Sequence, residues 1–209
     1  MKSDDKTYKT DDGSLKVSLV DIDLGSDSNG HYNEHSFEMS TADKAVGMMA
    51  FIRVYEISQF AIFRQHFYPV YDKMSVGDRN KVSTSFPSLK VPPESKSQYI
   101  NPCKHMAGWY ARKGDWNQKN ITDMCGGVEG GPFFIYDRTN ITTGHLGQVI
   151  ALSSFTKHTA FTAQPSKDAG QIWFGLPGTT QTLPKNGYDI ETIISYSDQG
   201  FYEGESDRG

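Results

Sequence analysis

An antiparallel all-β sandwich, of supersandwich-like build with long loops, is the fold class this sequence predicts. Three observations predict it. The 209 residues contain twenty glycines, twelve phenylalanines and eleven tyrosines but only eight leucines and ten alanines, so turn and strand formers outweigh helix formers. Short apolar runs recur along the second half. Turn residues separate those runs at the spacing of antiparallel strands. A mass of 23.4 kDa is enough for one sizeable core.

The first strand is expected at Lys16–Leu24, KVSLVDIDL, where Val17 and Leu19 alternate with Ser18 and Val20. Residues 26–36, SDSNGHYNEHS, carry turn formers and read as a loop. Residues 46–71 hold polar positions at Arg53, Glu56 and Gln59, a helical spacing, yet their content is β-branched and aromatic. Such side chains crowd a helix and suit a pleated surface, so two strands are expected, at about 46–57 and 59–68 with a break near Ser58. Residues 74–99 contain Pro87, Pro92 and Pro93 and read as a connection with one short strand at most. Residues 101–131 hold both cysteines, two tryptophans and a glycine-rich stretch. Beyond them PFFIYD, QVIALSSF, TAFTAQ, QIWFGL and YDIETIISYS are five further strands. The expected domain layout is a polar lead-in at 1–14, one sandwich domain at 15–202 and a linker or cleavage end at 203–209.

Charge and composition exclude several function classes. A net charge of −4 and a pI near 5.8 speak against nucleic acid as a partner. The apolar stretch Ala45–Ile52, eight residues between Lys44 and Arg53, is too short for a transmembrane helix. The N-terminal MKSDDKTYKTDDG has no apolar core of a signal peptide. Cys103 and Cys125 either close a loop of about 23 residues, worth roughly 3 kcal/mol, or stand as two buried thiols. Asn120-Ile121-Thr122 and Asn140-Ile141-Thr142 are N-glycosylation sequons in polar, turn-like surroundings. The even cysteine count, the sequons and the aromatic content together predict a secreted or lumenal protein.

Several motifs bear on chemistry. His31-Tyr32-Asn33-Glu34-His35 fits the H-x-x-E-H zinc-protease pattern, but that chemistry needs both histidines on one helix face, and no helix is expected here. Asp21, Asp23, Asp27 and Asn29 are hard oxygen ligands of the kind calcium takes, without EF-hand spacing. The run from Cys125 to Pro132 is glycine-rich but lacks the Lys-Ser/Thr and the following helix of a phosphate loop, and reads as a strand entry. No metal site and no cofactor are therefore expected. Trp109, Tyr110 and Trp116 in GWYARKGDW are the candidate carbohydrate-stacking residues, with Arg112 and Asp115 as hydroxyl partners; the competing reading makes these rings a cap on the core. Glu129, Asp137 and Asp115 are candidate carboxylates with no assignable acid–base pairing.

The order AIFRQHFYPVY, TSFPSLKV, GGPFFIYD, VIALSSF and QIWFGLPGTTQTLPKNGYDIETIISYSDQGF resembles large secreted eukaryotic glycoside-hydrolase-like proteins of the α-galactosidase and raffinose-synthase type. The similarity runs over about residues 15–202. It implies an N-terminal β-supersandwich that precedes a (β/α)8 catalytic barrel. The chain is too short to contain that barrel, which takes about 250 residues. The resemblance therefore implies a non-catalytic domain, a catalytic barrel as partner and no catalytic residue in this chain. The alternative is a lectin-like or structural surface glycoprotein module.

Overall fold

The computed structural model describes residues 1–3, 6–68, 73–105, 108–121, 124–125, 132–137, 148–166, 170–184 and 186–198. It is an all-β protein of antiparallel sheets. The first two strands, β1 (Lys2–Ser3) and β2 (Lys6–Thr7), pair as a small ribbon. A nine-stranded sheet follows: β3 (Lys16–Asp27), β4 (Gly30–Ser40), β5 (Gly47–Tyr55), β6 (Phe60–Phe67), β8 (Ser97–His105), β9 (Gly108–Asp115), β10 (Phe133–Asp137), β11 (Val149–Ser154) and β14 (Tyr188–Ser197). Its spatial order is β3-β4-β5-β6-β14-β11-β10-β8-β9. A three-stranded sheet, in the order β12-β13-β7, combines β7 (Ser88–Lys90), β12 (Thr162–Ser166) and β13 (Gln171–Gly175).

Successive side chains of a strand point to opposite faces, so each register gives two rows. One row runs Leu19–Phe37–Ala50–Gln65–Ile190 across five strands and belongs to the inner face. That face packs on the small sheet. Tyr99, Phe133, Ile135 and Leu152 of the large sheet meet Ile172 and Phe174 of β13 in one core cluster, with Trp116 and Ile121. A second cluster gathers Met48, Phe67 and Ile190 around Met74, Leu176 and Leu183. Gln65 ties the two sheets together: it is fully buried, and its Nε2 donates to the carbonyls of Phe86 (2.7 Å) and Phe174 (3.1 Å). At Gly175 the chain passes so close to residue 84 that a Cβ would overlap the Thr84 carbonyl, so this position admits only glycine.

Most expected strands are present, and four readings need correction. Residues 26–36 are not a loop. Only Ser28 and Asn29 turn, with the Asn29 N–H on Asp27 Oδ1 (2.8 Å) and Gly30 at φ +121°, and β4 begins at once. The strand was hidden because its side chains are polar on both faces, and its order comes from pairing with β3 and β5. Residues 97–115 form a full hairpin, β8–β9, which the prolines and glycines masked; Pro102 sits beyond the stretch where β10 pairs with β8, so its missing N–H breaks no bond to β10. The strand in TAFTAQ starts later than expected, at Thr162, because His158–Ala160 form a 3-10 turn. The lead-in at 1–14 is partly tied down: Lys2 N–H donates to Ser83 O (2.8 Å), and Ser3 is buried.

The two ends of the large sheet differ. At β3 the inner face is uncovered. A β-bulge between Leu19 and Asp21 keeps Val17 and Leu19 on the same side as Ile22 and Leu24, and these four are 47%, 55%, 53% and 75% exposed. Asp21 and Asp23 project from the other side of the same strand, into solvent.

Candidate functional site

The outer face of β4, β5, β6 and β14 is built differently from the inner one. Its rows are Asp23–Glu34–Arg53–Ile62 and Ser36–Phe51–Arg64–Glu191. Charges thus stand beside apolar rings on neighbouring strands, at the spacing where cross-strand pairs interact. Together with Asp27, Asn29, Tyr55 and Phe155 these residues line a shallow open cleft of about 100 Å³.

Two arginines organise it. Arg53 Nε lies 2.8 Å from Glu34 Oε2 and its Nη1 lies 3.4 Å from Asp27 Oδ2. Arg64 Nη2 reaches the other Glu34 oxygen at 3.6 Å. Each guanidinium also stacks on a ring: Arg53 on Tyr32 at 4.1 Å and Arg64 on Phe51 at 3.9 Å. The Tyr55 hydroxyl donates to Asp27, and its ring stacks on Phe60 at 4.4 Å. The electrostatics follow from these contacts. The Tyr55 hydrogen bond, then the Asn29 N–H, holds the Asp27 carboxyl below the usual carboxylate range. Burial pushes the Tyr55 phenol up, and its bond to Asp27 acts in the same direction. Burial alone would lower the Arg53 guanidinium, but its bonds to Tyr55 and Glu34 outweigh that and raise it.

Two groups in the cleft keep unused capacity. Arg64 Nε is buried with no hydrogen-bond partner. Glu191, its register neighbour, makes no ion pair among the described residues, although its backbone carbonyl accepts from Phe155 N–H (2.8 Å). The Phe155 ring, 43% exposed, lines the same cleft as Glu191.

The residues singled out from sequence fall elsewhere. Cys103 and Cys125 form a disulfide with a Cα–Cα distance of 5.8 Å. Trp116 is a core residue, 7% exposed, with its ring 5.3 Å from Phe133; stacking on a sugar is closed to it, because the competing core role has taken the ring. Tyr110 is 42% exposed on β9, with Arg112 5.5 Å from its ring. Trp109 lies opposite Lys104, and its side chain is outside the described residues. Asn120 is half-buried, and its carbonyl accepts from the Tyr99 hydroxyl (3.2 Å). Asn140 and Glu129 lie outside the described residues. Asp115 shares the outer face with Gln98, while Asp137 pairs with Ser97 on the inner one, so the two carboxylates do not face each other. In the H-x-x-E-H run, strand alternation puts His31 and His35 on the inner face and Glu34 on the outer. Among the described residues no cluster of three or more His, Cys, Asp or Glu could hold a metal ion.

Sequence reasoning missed the cleft itself. Of the recurrent polar positions, Arg53 was the available signal, since a charge inside an apolar strand marks the face turned away from the core; Glu56 and Gln59 fall in the turn that follows.

The arrangement defines an antiparallel β-sandwich whose larger sheet carries an ion-paired, ring-lined cleft on its outer face. Solved structures similar to it include α-galactosidases. The chain is similar to the α-galactosidase from Lactobacillus brevis, with TM-score 0.56 and 9% identity over 89% of this chain and 28% of that one. It is similar to the GH36 α-galactosidase AgaB from Geobacillus stearothermophilus, with TM-score 0.55 and 10% identity over 89% and 28%. A raffinose complex of a variant of the GH36 α-galactosidase AgaA from the same organism gives TM-score 0.54 and 12% identity over 90% and 30%. The chain thus spans less than a third of the length of these structures. No protein-family model matches the sequence, and no curated protein does.

Proposed function

We propose that the chain is the non-catalytic N-terminal sandwich domain of a secreted carbohydrate-active protein, and that it packs on a catalytic barrel outside these residues. One observation carries the reading: nearly all of this chain, 89%, superposes on 28% of an α-galactosidase. Two features of the molecule support it. The uncovered apolar face of β3 sets Val17, Leu19, Ile22 and Leu24 side by side in solvent, a row that a packed neighbouring domain would cover. The disulfide supports an oxidising compartment. Tyr110 remains a sugar-stacking candidate of the 108–116 strand, and Asn120 and Asn140 remain glycan candidates.

The test is the coding sequence that follows residue 209. Alternating strand and helix units with carboxylates at strand ends support the proposal. A stop, a repeat or a stalk overturns it in favour of a stand-alone lectin-like module. Where the barrel is present, Leu19→Lys with Ile22→Lys in the whole protein should free the sandwich for limited proteolysis, and an unchanged cleavage pattern would remove β3 as the contact. Intact mass before and after enzymatic deglycosylation checks the sequons.

A further inference from the structure

The cleft on the outer face holds an unpaired carboxylate, an under-used guanidinium and an exposed ring within one small concavity. At about 100 Å³ it is too small to enclose a ligand, and it offers a shallow surface against which one face of a small molecule can lie. Of the charges that line it, Glu34 and Asp27 are already bound to arginine or tyrosine and act as a fixed scaffold. Arg64 and Glu191 are held side by side by the β6–β14 register, so their spacing is set by the backbone. A donor and an acceptor side by side match two adjacent hydroxyls: one hydroxyl oxygen accepts from the guanidinium while its neighbour donates to the carboxylate. A ring at the rim supplies the flat apolar surface on which the C–H face of a pyranose lies. The five lining charges, Asp27, Glu34, Glu191, Arg53 and Arg64, sum to −1, which disfavours anionic ligands such as phosphates.

We propose that the cleft of Arg64, Glu191 and Phe155 is a binding site for a neutral sugar ring, a carbohydrate site on the face of the large sheet away from the core. The choice of sugar over other neutral polar ligands rests on the reading of the chain as part of a carbohydrate-active protein; the geometry rests on nothing beyond the cleft. The same arrangement explains why a charged row survives on a sheet face that ordinary surface chemistry would satisfy with isolated ion pairs.

The experiment is an NMR titration of the isotope-labelled chain with galactose and raffinose, with free glutamate as a zwitterionic comparator. Saturable shifts confined to β5, β6, β14 and residue 155 are expected with a sugar. Glu191→Gln and Phe155→Ala should each weaken binding about tenfold or more, while Tyr68→Ala, which removes an exposed ring outside the cleft, leaves it unchanged. Glu191 and Phe155 lie at the surface end of their contacts, so both variants should keep the wild-type spectrum outside the cleft. If one loses it, Arg64→Lys, which keeps charge but removes the flat donor edge, serves in its place with the same expected loss. No saturable binding to either sugar, tighter binding of glutamate, or loss with Tyr68→Ala in place of Phe155→Ala would each overturn the proposal. A barrel downstream without sugar binding removes the cleft site alone. Sugar binding in a gene that stops at this domain removes the barrel alone.

Discussion

Leu19 and Ala50 occupy one row of one sheet, two strands apart, yet Leu19 is 55% exposed and Ala50 is fully buried. The same contrast separates the whole β3 end from the β10–β11 end. Both carry alternating apolar residues. Phe133, Ile135 and Leu152 are covered by the small sheet, whereas Val17, Leu19, Ile22 and Leu24 are covered by nothing among the described residues. Alternation in a sequence states which side of a strand is apolar. Whether something lies over that side is a tertiary fact, decided here by how far β12, β13 and β7 reach.

Truncations at matched positions should break the comparison most sharply. Leu152→Ala should cost about 2–5 kcal/mol in urea unfolding, because its cavity is walled by both sheets. Leu24→Ala should change stability by less than about 0.5 kcal/mol. Comparable losses at the two sites would mean that β3 is buried in solution. Next in size is the disulfide. The Cys103→Ser, Cys125→Ser double variant should lose about 3 kcal/mol, seen as a lower urea midpoint, with reductant affecting the wild type alone. Gln65→Ala should cost about 1–3 kcal/mol, because it strips a buried carbonyl of its donor at the seam between the sheets. The smallest effect concerns the outer face. The folded pKa of Asp27 is depressed, so its contribution to stability is present above the ordinary carboxylate value and fades as pH falls through the folded value. Tyr55→Phe removes the largest cause of that depression. A carboxyl NMR titration should then show Asp27 moving up toward its ordinary value; an unmoved Asp27 would assign the depression to Asn29 and Arg53.

The parts of this fold legible in the sequence were those whose two faces differ in polarity. Residues 46–57 and 59–68 read as strands and became β5 and β6, with the break at the turn through Gln59, whose φ is +54°. β4 was illegible because its inner positions Asn33 and His35 are polar: they sit over the uncovered part of the sheet, where burial places no demand on them. β8 and β9 were hidden by Pro102 and by Gly108 and Gly114, residues that an edge hairpin tolerates and a central strand does not. In the aromatic segment 108–116, composition cannot say which ring faces the core. Trp116 proved to be a core residue and Tyr110 a surface one. The cleft escaped for a related reason: Glu34, Arg53, Arg64 and Glu191 span nearly 160 positions, and only the strand order makes them neighbours.

The aspartates of β3 have an effect of their own. An outermost strand of twelve residues offers its free amides and carbonyls to any other chain. Two copies that met along this border, antiparallel and centred on the strand, would set Asp21 and Asp23 of one against those of the other, like charge on like charge. The greasy side of the border invites a guest, while its acidic side turns away a twin. Lateral growth into fibres is thereby discouraged without a single residue being taken from the side that greets the guest.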